Sequence, residues 1–149
     1  MDVNADPYLI VVGLDGSGPS LDALEWAVRE AKLREGAVRV VTAWHYPPVP
    51  SSVEDAPPND AFHSAQRMQS DALASVDNRG VDISALLVRD LPARALLDAA
   101  QDADLLVVGS RGHGGFAGLL LGSVSAQVAH HANCPVVIFR PGGKDSGTQ

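Results

Sequence analysis

The sequence predicts a doubly wound α/β domain: a five-stranded parallel sheet of order 3-2-1-4-5 with helices on both faces. Three observations lead there. Short aliphatic runs such as Leu9-Ile10-Val11-Val12 and Leu105-Leu106-Val107-Val108 lack polar alternation, the pattern of strands buried on both sides. Between these runs lie longer stretches with apolar residues at helical spacing. The two patterns alternate along the chain, and right-handed crossovers then leave few topologies, of which 3-2-1-4-5 is preferred.

The elements follow in order. Leu9 to Val12 forms the first strand, ending at Gly13. A helix from Pro19 to Glu35 puts Leu21, Leu24, Val28 and Ala31 on one face, with Pro19 in its first turn and Gly36 as its stop. Val38 to Trp44 is the second strand. A proline-rich loop (Pro47, Pro48, Pro50, Pro57, Pro58) leads into a helix over Asn59 to Asn78, whose stripe is Phe62, Ala65, Met68, Ala72, Leu73 and Val76. Gly80 closes that helix. The third strand is Val81 to Val88, the third helix Pro92 to Asp102, and the fourth strand Leu105 to Val108. A glycine-rich segment precedes a short helix, Ser123 to His131, and a last strand, Val136 to Arg140. The tail after Pro141 is rich in Gly and Ser and is expected to be loose.

A chain of 149 residues, 46% of them hydrophobic, fits one domain with a real core, here residues 1–149. The net charge of −7 and the scattered basic residues speak against nucleic acid as the main partner. They do not exclude a single nucleotide, because backbone amides can hold a phosphate without a basic patch. No stretch approaches the roughly 20 apolar residues needed to span a bilayer, so no membrane partner is expected. The polar, acidic start Met1-Asp2-Val3-Asn4-Ala5-Asp6 is unlike a secretory signal, and a cytoplasmic location is expected. The single cysteine, Cys134, fits a reducing compartment and reads as a small buried hydrophobe.

In a doubly wound sheet, ligands bind beyond the carboxyl ends of the strands where the winding reverses. In this order that point lies between strands one and four. Asp15, in Gly13-Leu14-Asp15-Gly16-Ser17, stands just past strand one. After strand four the chain reads Gly109-Ser110-Arg111-Gly112, then nine residues, then Gly122-Ser123 at the head of a helix. Glycines let backbone N–H groups approach a ligand closely. A helix N-terminus adds free amides and the positive end of its dipole, worth about 0.3–1 kcal/mol per anion when exposed and up to ~2 when partly buried. A triphosphate would therefore need several amides together, plus Arg111 or a divalent cation.

The spacing Gly109-x-x-Gly112-nine residues-Gly122-Ser123 resembles the ATP-binding signature G-2X-G-9X-G-[ST] of the universal stress protein family. Val11-Val12-Gly13-Leu14-Asp15-Gly16-Ser17 is similar to that family's first strand and acidic turn. Leu105 to Ser110 and Cys134-Pro135-Val136-Val137 resemble its fourth and fifth strands, so the likeness covers roughly residues 8 to 141, the expected ordered core. The resemblance implies ATP as ligand and Mg²⁺ as companion. It puts a ribose or metal contact on Asp15, an adenosine-pocket position on Gly13 and a backbone contact to adenine on Ala43. Phosphate and ribose contacts fall on Gly109, Gly112, Gly122, Ser123 and Val124, with Arg111 a candidate beside them. It also implies a homodimer paired through Val136, Val137, Ile138 and Phe139. One departure is visible: Asp90-Leu91-Pro92 stands where the family commonly has a glycine before the proline.

Each of these residues also has a plain structural role open to it. Asp15 could cap the first helix, Ser123 could be an ordinary cap, and Arg111 and His113 could be solvated loop residues. Adjacent His130 and His131 point about 100° apart on a helix and make a poor zinc pair, and Trp26 and Trp44 read as packing residues. Gly112-His113-Gly114-Gly115-Phe116-Ala117 formally matches a dinucleotide fingerprint, but no Asp or Glu stands between Leu105 and Gly143 to meet the ribose. A P-loop lysine, the acidic cluster of a receiver domain and a Gly-x-Ser-x-Gly elbow are all missing. The function expected is an ATP-dependent regulatory binding module acting in the stress response through a protein partner, with no catalytic residue assigned. The alternatives are a slow ATPase or phosphotransfer enzyme on the same site, and a nucleotide-free interaction module.

Overall fold

The structure, a computed structural model, describes residues 6–45, 60–110 and 121–141. The proline-rich loop before residue 60 and the tail after residue 141 lie outside the described residues. In chain order the elements are β1 (Leu9–Gly13), α1 (Gly18–Arg34), β2 (Ala37–Trp44), α2 (Asp60–Ala74), β3 (Asp82–Arg89), α3 (Pro92–Ala99), β4 (Leu105–Gly109), α4 (Ser123–His131) and β5 (Val136–Phe139). The sheet order is β3-β2-β1-β4-β5, all parallel, as the aliphatic runs and crossover rule predict.

Alternation along the strands sends side chains into two cores. Ile10 and Val12 of β1, Val38 and Val40 of β2, and Leu105 and Val107 of β4 face α1 and α2. Val11, Val41, Leu106 and Val108 face α3 and α4, where Leu96 and Val128 close over them. Fully burying each such Leu or Val is worth about 1.5–3 kcal/mol, so this patterning pins the register of the central strands. Cys134 packs against the second core. Burial, and then the nearby Asp104, push its thiol above the usual range, consistent with a packing role.

Four details differ from the sequence expectations, each for a local reason. Leu21 is more than a third exposed; the buried face of α1 runs through Ala23, Leu24, Ala27, Val28 and Ala31, and Leu21 borders a groove with Met68 and Ala72 of α2. The stop of α1 is a Schellman motif whose left-handed residue is Glu35 (φ 54°), with Gly36 N–H donating to Ala31 O at 2.8 Å. Gly36 is required for space instead, since a Cβ there would lie 2.3 Å from Tyr8 O. α2 ends at Ala74, where Ser75 bonds Ala72 O through both its amide and its hydroxyl; Gly80 (φ 81°) serves the following turn. α3 ends at Ala99, and Arg39 of β2 ties that end down by donating to Ala99 O (2.7 Å) and Asp102 (2.9 Å). The Arg39 guanidinium holds the Asp102 carboxyl below its ordinary range.

Gln69 is a buried polar residue within the apolar stripe of α2. Its amide donates to Thr42 Oγ1 (3.1 Å) and Leu86 O (2.9 Å), and the Thr42 hydroxyl donates to Leu14 O (2.9 Å). This chain couples α2 to β2, β3 and the turn after β1. Gln69→Leu leaves those buried acceptors with fewer donors and is expected to cost about 1–3 kcal/mol in urea unfolding. Unchanged stability would mean that water replaces the amide.

Candidate functional site

The carboxyl ends of β1 and β4 flank a cleft at the point where the winding reverses, with about 560 Å³ of empty space including its open mouth. One wall is polar: Asp15 from the turn after β1, and Ser17 and Ser20 from the start of α1. The opposite part is apolar, formed by Val41 and Ala43 of β2 with Pro92 and Leu96 of α3. Gly13 and Leu14, Val108 and Gly109, and Val124 of α4 complete the lining. Such a mixture of an apolar surface and a few converging polar groups is the usual make-up of a small-molecule site.

The turn after β1 is fixed by its own hydrogen bonds. Gly16 adopts φ 87°, which a glycine accepts at no cost. Asp15 Oδ1 accepts from the Ser17 amide at 2.9 Å, and Ser17 Oγ accepts from the Ser20 amide at 3.3 Å. Ser17 is thus the N-cap of α1 and not Asp15, whose carboxylate stiffens the turn in front of the helix. Ser20 Oγ donates to Ser17 O and accepts from the Asp15 amide, while Leu14 N–H donates to Val41 O. These bonds set Asp15, an exposed residue, at the rim of the cleft.

Across the cleft, the two ends of the glycine-rich segment are joined at Ser110. Its carbonyl accepts from the Gly122 amide (2.6 Å) and the Ser125 hydroxyl, and its own amide donates to Phe139 O (2.6 Å). Ser110 Oγ is buried with no hydrogen-bond partner among the described residues. The Gly122 amide is therefore already engaged, whereas the Ser123 and Val124 amides open α4, where no intrahelical acceptor exists for them. α1, α3 and α4 all begin at this cleft, through Ser17, Pro92 and Val124, so three helix dipoles present their positive ends to it.

Of the residues singled out in the sequence, Gly13, Asp15, Ala43, Gly109 and Val124 come together as cleft lining. Gly122 and Ser123 stand beside Val124 at the head of α4 without lining the cleft, and Arg111 and Gly112 lie outside the described residues. Gly109 has a packing reason of its own: a Cβ there would come within 2.9 Å of Pro19 Cβ. The departure Asp90-Leu91-Pro92 leaves the wall intact, because Leu91 (φ −69°) turns out to solvent and Pro92 forms the lining. Sequence reasoning missed Leu14, Ser17, Ser20, Val41, Leu96 and Val108. The serines were recoverable as Ser-x-x-Ser at a helix start, and the others only from the fold.

Among the described residues, no group of three or more His, Cys, Asp or Glu could hold a metal ion, and Asp15 is the one carboxylate lining the cleft. That donor set does not cage a cation, but it fits Mg²⁺ that arrives on phosphates and needs only one protein carboxylate. His130 and His131 are exposed, with ring centroids 5.5 Å apart. Trp26 packs on Phe139 (5.9 Å) and Trp44 on Phe62 (5.3 Å), so both tryptophans are engaged in packing.

Comparison with known proteins agrees with this architecture. The sequence profile of the universal stress protein family matches residues 9–140. A universal stress protein of Mycolicibacterium smegmatis is 34% identical over 145 residues, covering 91% of this chain and 49% of the relative. The chain spans about half the length of the curated relatives it matches. A solved universal stress protein in complex with cAMP is 31% identical with a TM-score of 0.63, covering 91% of this chain and 98% of that one. The universal stress protein from Archaeoglobus fulgidus in complex with dAMP is 26% identical with a TM-score of 0.66, covering 89% and 97%. A match that runs from β1 through β5, on a sheet of this order, means that the chain belongs to the universal stress protein family.

Proposed function

We propose that this chain binds an adenine nucleotide, ATP with Mg²⁺ on its phosphates, in the cleft between β1 and β4. In this reading it works in the cytoplasm as a nucleotide-dependent regulatory module of the stress response, recognised by a protein partner. The observation that carries the reading is the cleft itself, with an apolar wall, a carboxylate at its rim and three helix N-termini around it. Family members in complex with cAMP and dAMP support the adenine assignment. The base lies against Val41 and Ala43, with the Ala43 backbone reading its edge, and Gly13 beside the nucleoside. Asp15 takes the ribose hydroxyls or the cation. Ser123 and the α4 amides take the phosphates, Gly109 and Gly122 leave them room, and Arg111 and Gly112 complete the cradle. Mg²⁺, when bound, would neutralise phosphate charge.

Binding is favoured over turnover because the described lining offers no His or Lys and a single carboxylate, too few groups to position a nucleophile and stabilise phosphoryl transfer. Acid extraction of freshly purified protein, followed by nucleotide chromatography, tests the reading directly; adenine nucleotide at near-stoichiometric amounts is expected. Asp15→Ala should then weaken ATP binding about tenfold or more, by roughly 1.4 kcal/mol per decade. An unchanged affinity alongside a lower melting temperature would reduce Asp15 to a turn residue. A steady-state ATPase assay separates the binding module from a slow enzyme.

A further inference from the structure

We infer that the pair Gly13–Leu96 sets the width of the apolar end of the cleft, and so determines which purine bases the site accepts. The inference rests on the nucleotide reading above and adds its specificity determinant. Leu96 stands on the second turn of α3, is 5% exposed, and lines the cleft. A Cβ built on Gly13 would lie 3.0 Å from both Leu96 Cδ1 and Cδ2. Gly13 has no positive φ that would demand glycine, so space for the Leu96 side chain is what the missing Cβ provides. The two residues meet across the α3 side of the cleft, and Ala43 packs against the same cluster as Leu96. A base lying against Val41 and Ala43 shares this wall with Leu96, and in the inferred pose its 6-substituent lies on the Leu96 side. Room for that substituent ends where the Leu96 methyl groups begin.

Three variants shift this wall in opposite directions. Leu96→Ala removes it and leaves a void continuous with the cleft. Gly13→Ala adds a methyl group whose three nearest neighbours are all atoms of the Leu96 side chain, and the leucine yields toward the cleft and narrows it. In Gly13→Ala/Leu96→Ala the new methyl group meets no leucine, and the width returns.

Calorimetric titration with ATP and N6-benzyl-ATP tests this. Wild type is expected to prefer ATP, and Leu96→Ala to shift the ratio toward N6-benzyl-ATP by about tenfold or more. Leu96→Val, which disturbs the fold less, should shift it part of the way in the same direction. Gly13→Ala should weaken both ligands, and the double variant should recover ATP affinity, because Leu96 transmits the effect. Selectivity unchanged in both folded Leu96 variants would overturn the inference while the nucleotide reading stood. So would a double variant as weak as Gly13→Ala, since the methyl group would then block the ligand directly. Wild type that binds neither ligand would overturn the nucleotide reading and this inference together.

Discussion

Gly109→Val is expected to cost the protein both stability and its ligand, whereas Gly122→Val should cost only the ligand. At Gly109 the first added carbon would meet Pro19 Cβ at 2.9 Å, Ser20 N at 3.1 Å and Pro19 C at 3.2 Å. These atoms belong to a proline ring and helix backbone, neither of which can swing aside. The start of α1 has to move away from β4, an overpacking cost of about 1–3 kcal/mol, with the second branch of valine at the upper end. For a domain of this size ~3 kcal/mol lowers Tm by roughly 6–12 °C. The displaced turn carries Ser17 and Ser20, and Asp15 is hydrogen-bonded to both, so ATP affinity falls with it. Gly122 differs: φ −79° and ψ 177° suit any residue, and it has no positive φ to lose. A valine there keeps the backbone and puts a branched side chain next to the Ser123 and Val124 amides, which is expected to hinder a phosphate. Thermal unfolding, with ATP titrated well below Tm, separates the two variants. A Gly109→Val protein that melts with wild type would refute the packing account. A Gly122→Val protein that binds ATP normally would remove the phosphates from α4.

The topology was legible because it rests on burial, which leaves its trace in composition. Leu9 to Val12 and Leu105 to Val108 are apolar on both faces only because helices cover both faces of the central strands. The ends of α2 and α3 were less legible. Apolar periodicity continues through Val76 and Ala100, yet Ser75 and Arg39 terminate those helices through hydrogen bonds that periodicity does not encode. Gly36 pointed to the right place for the wrong reason. A glycine after a helix usually supplies the left-handed residue, but Glu35 takes that conformation while Gly36 makes room for Tyr8 O. Within the cleft, Gly13 and Gly109 were legible because the fold class puts ligands at the ends of strands one and four, whereas Ala43 was reached only through the family resemblance. Leu96 was not legible. A Cβ on Gly13 would lie 3.0 Å from the Leu96 methyl groups, a proximity that spans 83 positions of sequence and that only the crossing of α3 over β1 creates.

Ile138→Lys is expected to turn a homodimer into a monomer, if β5 is where two copies of this chain meet. β5 lies at the end of the sheet, paired on one side with β4 from Leu106↔Val136 to Gly109↔Phe139. Its other edge has no strand partner among the described residues, and an unpaired apolar edge normally has to be covered or paired. Val136 and Ile138 pack toward α3 and α4, Val137 and Phe139 toward α1, yet all four remain only half-buried. A second β5 running antiparallel about a two-fold axis would satisfy the free edge and bury the remaining surface on both faces. A lysine at position 138 would then bring one charge from each copy close to the axis. An uncompensated buried charge costs about 3–5 kcal/mol, or roughly two to three and a half decades in dimer affinity. Phe139→Lys should dissociate the dimer as well, but it also removes the Trp26 contact within the chain, so its Tm should fall further than that of Ile138→Lys. Light scattering at micromolar concentration, with circular dichroism as the check on folding, decides the matter. A monomeric wild type would end the proposal. A dimer that survives in both folded variants would move the interface elsewhere.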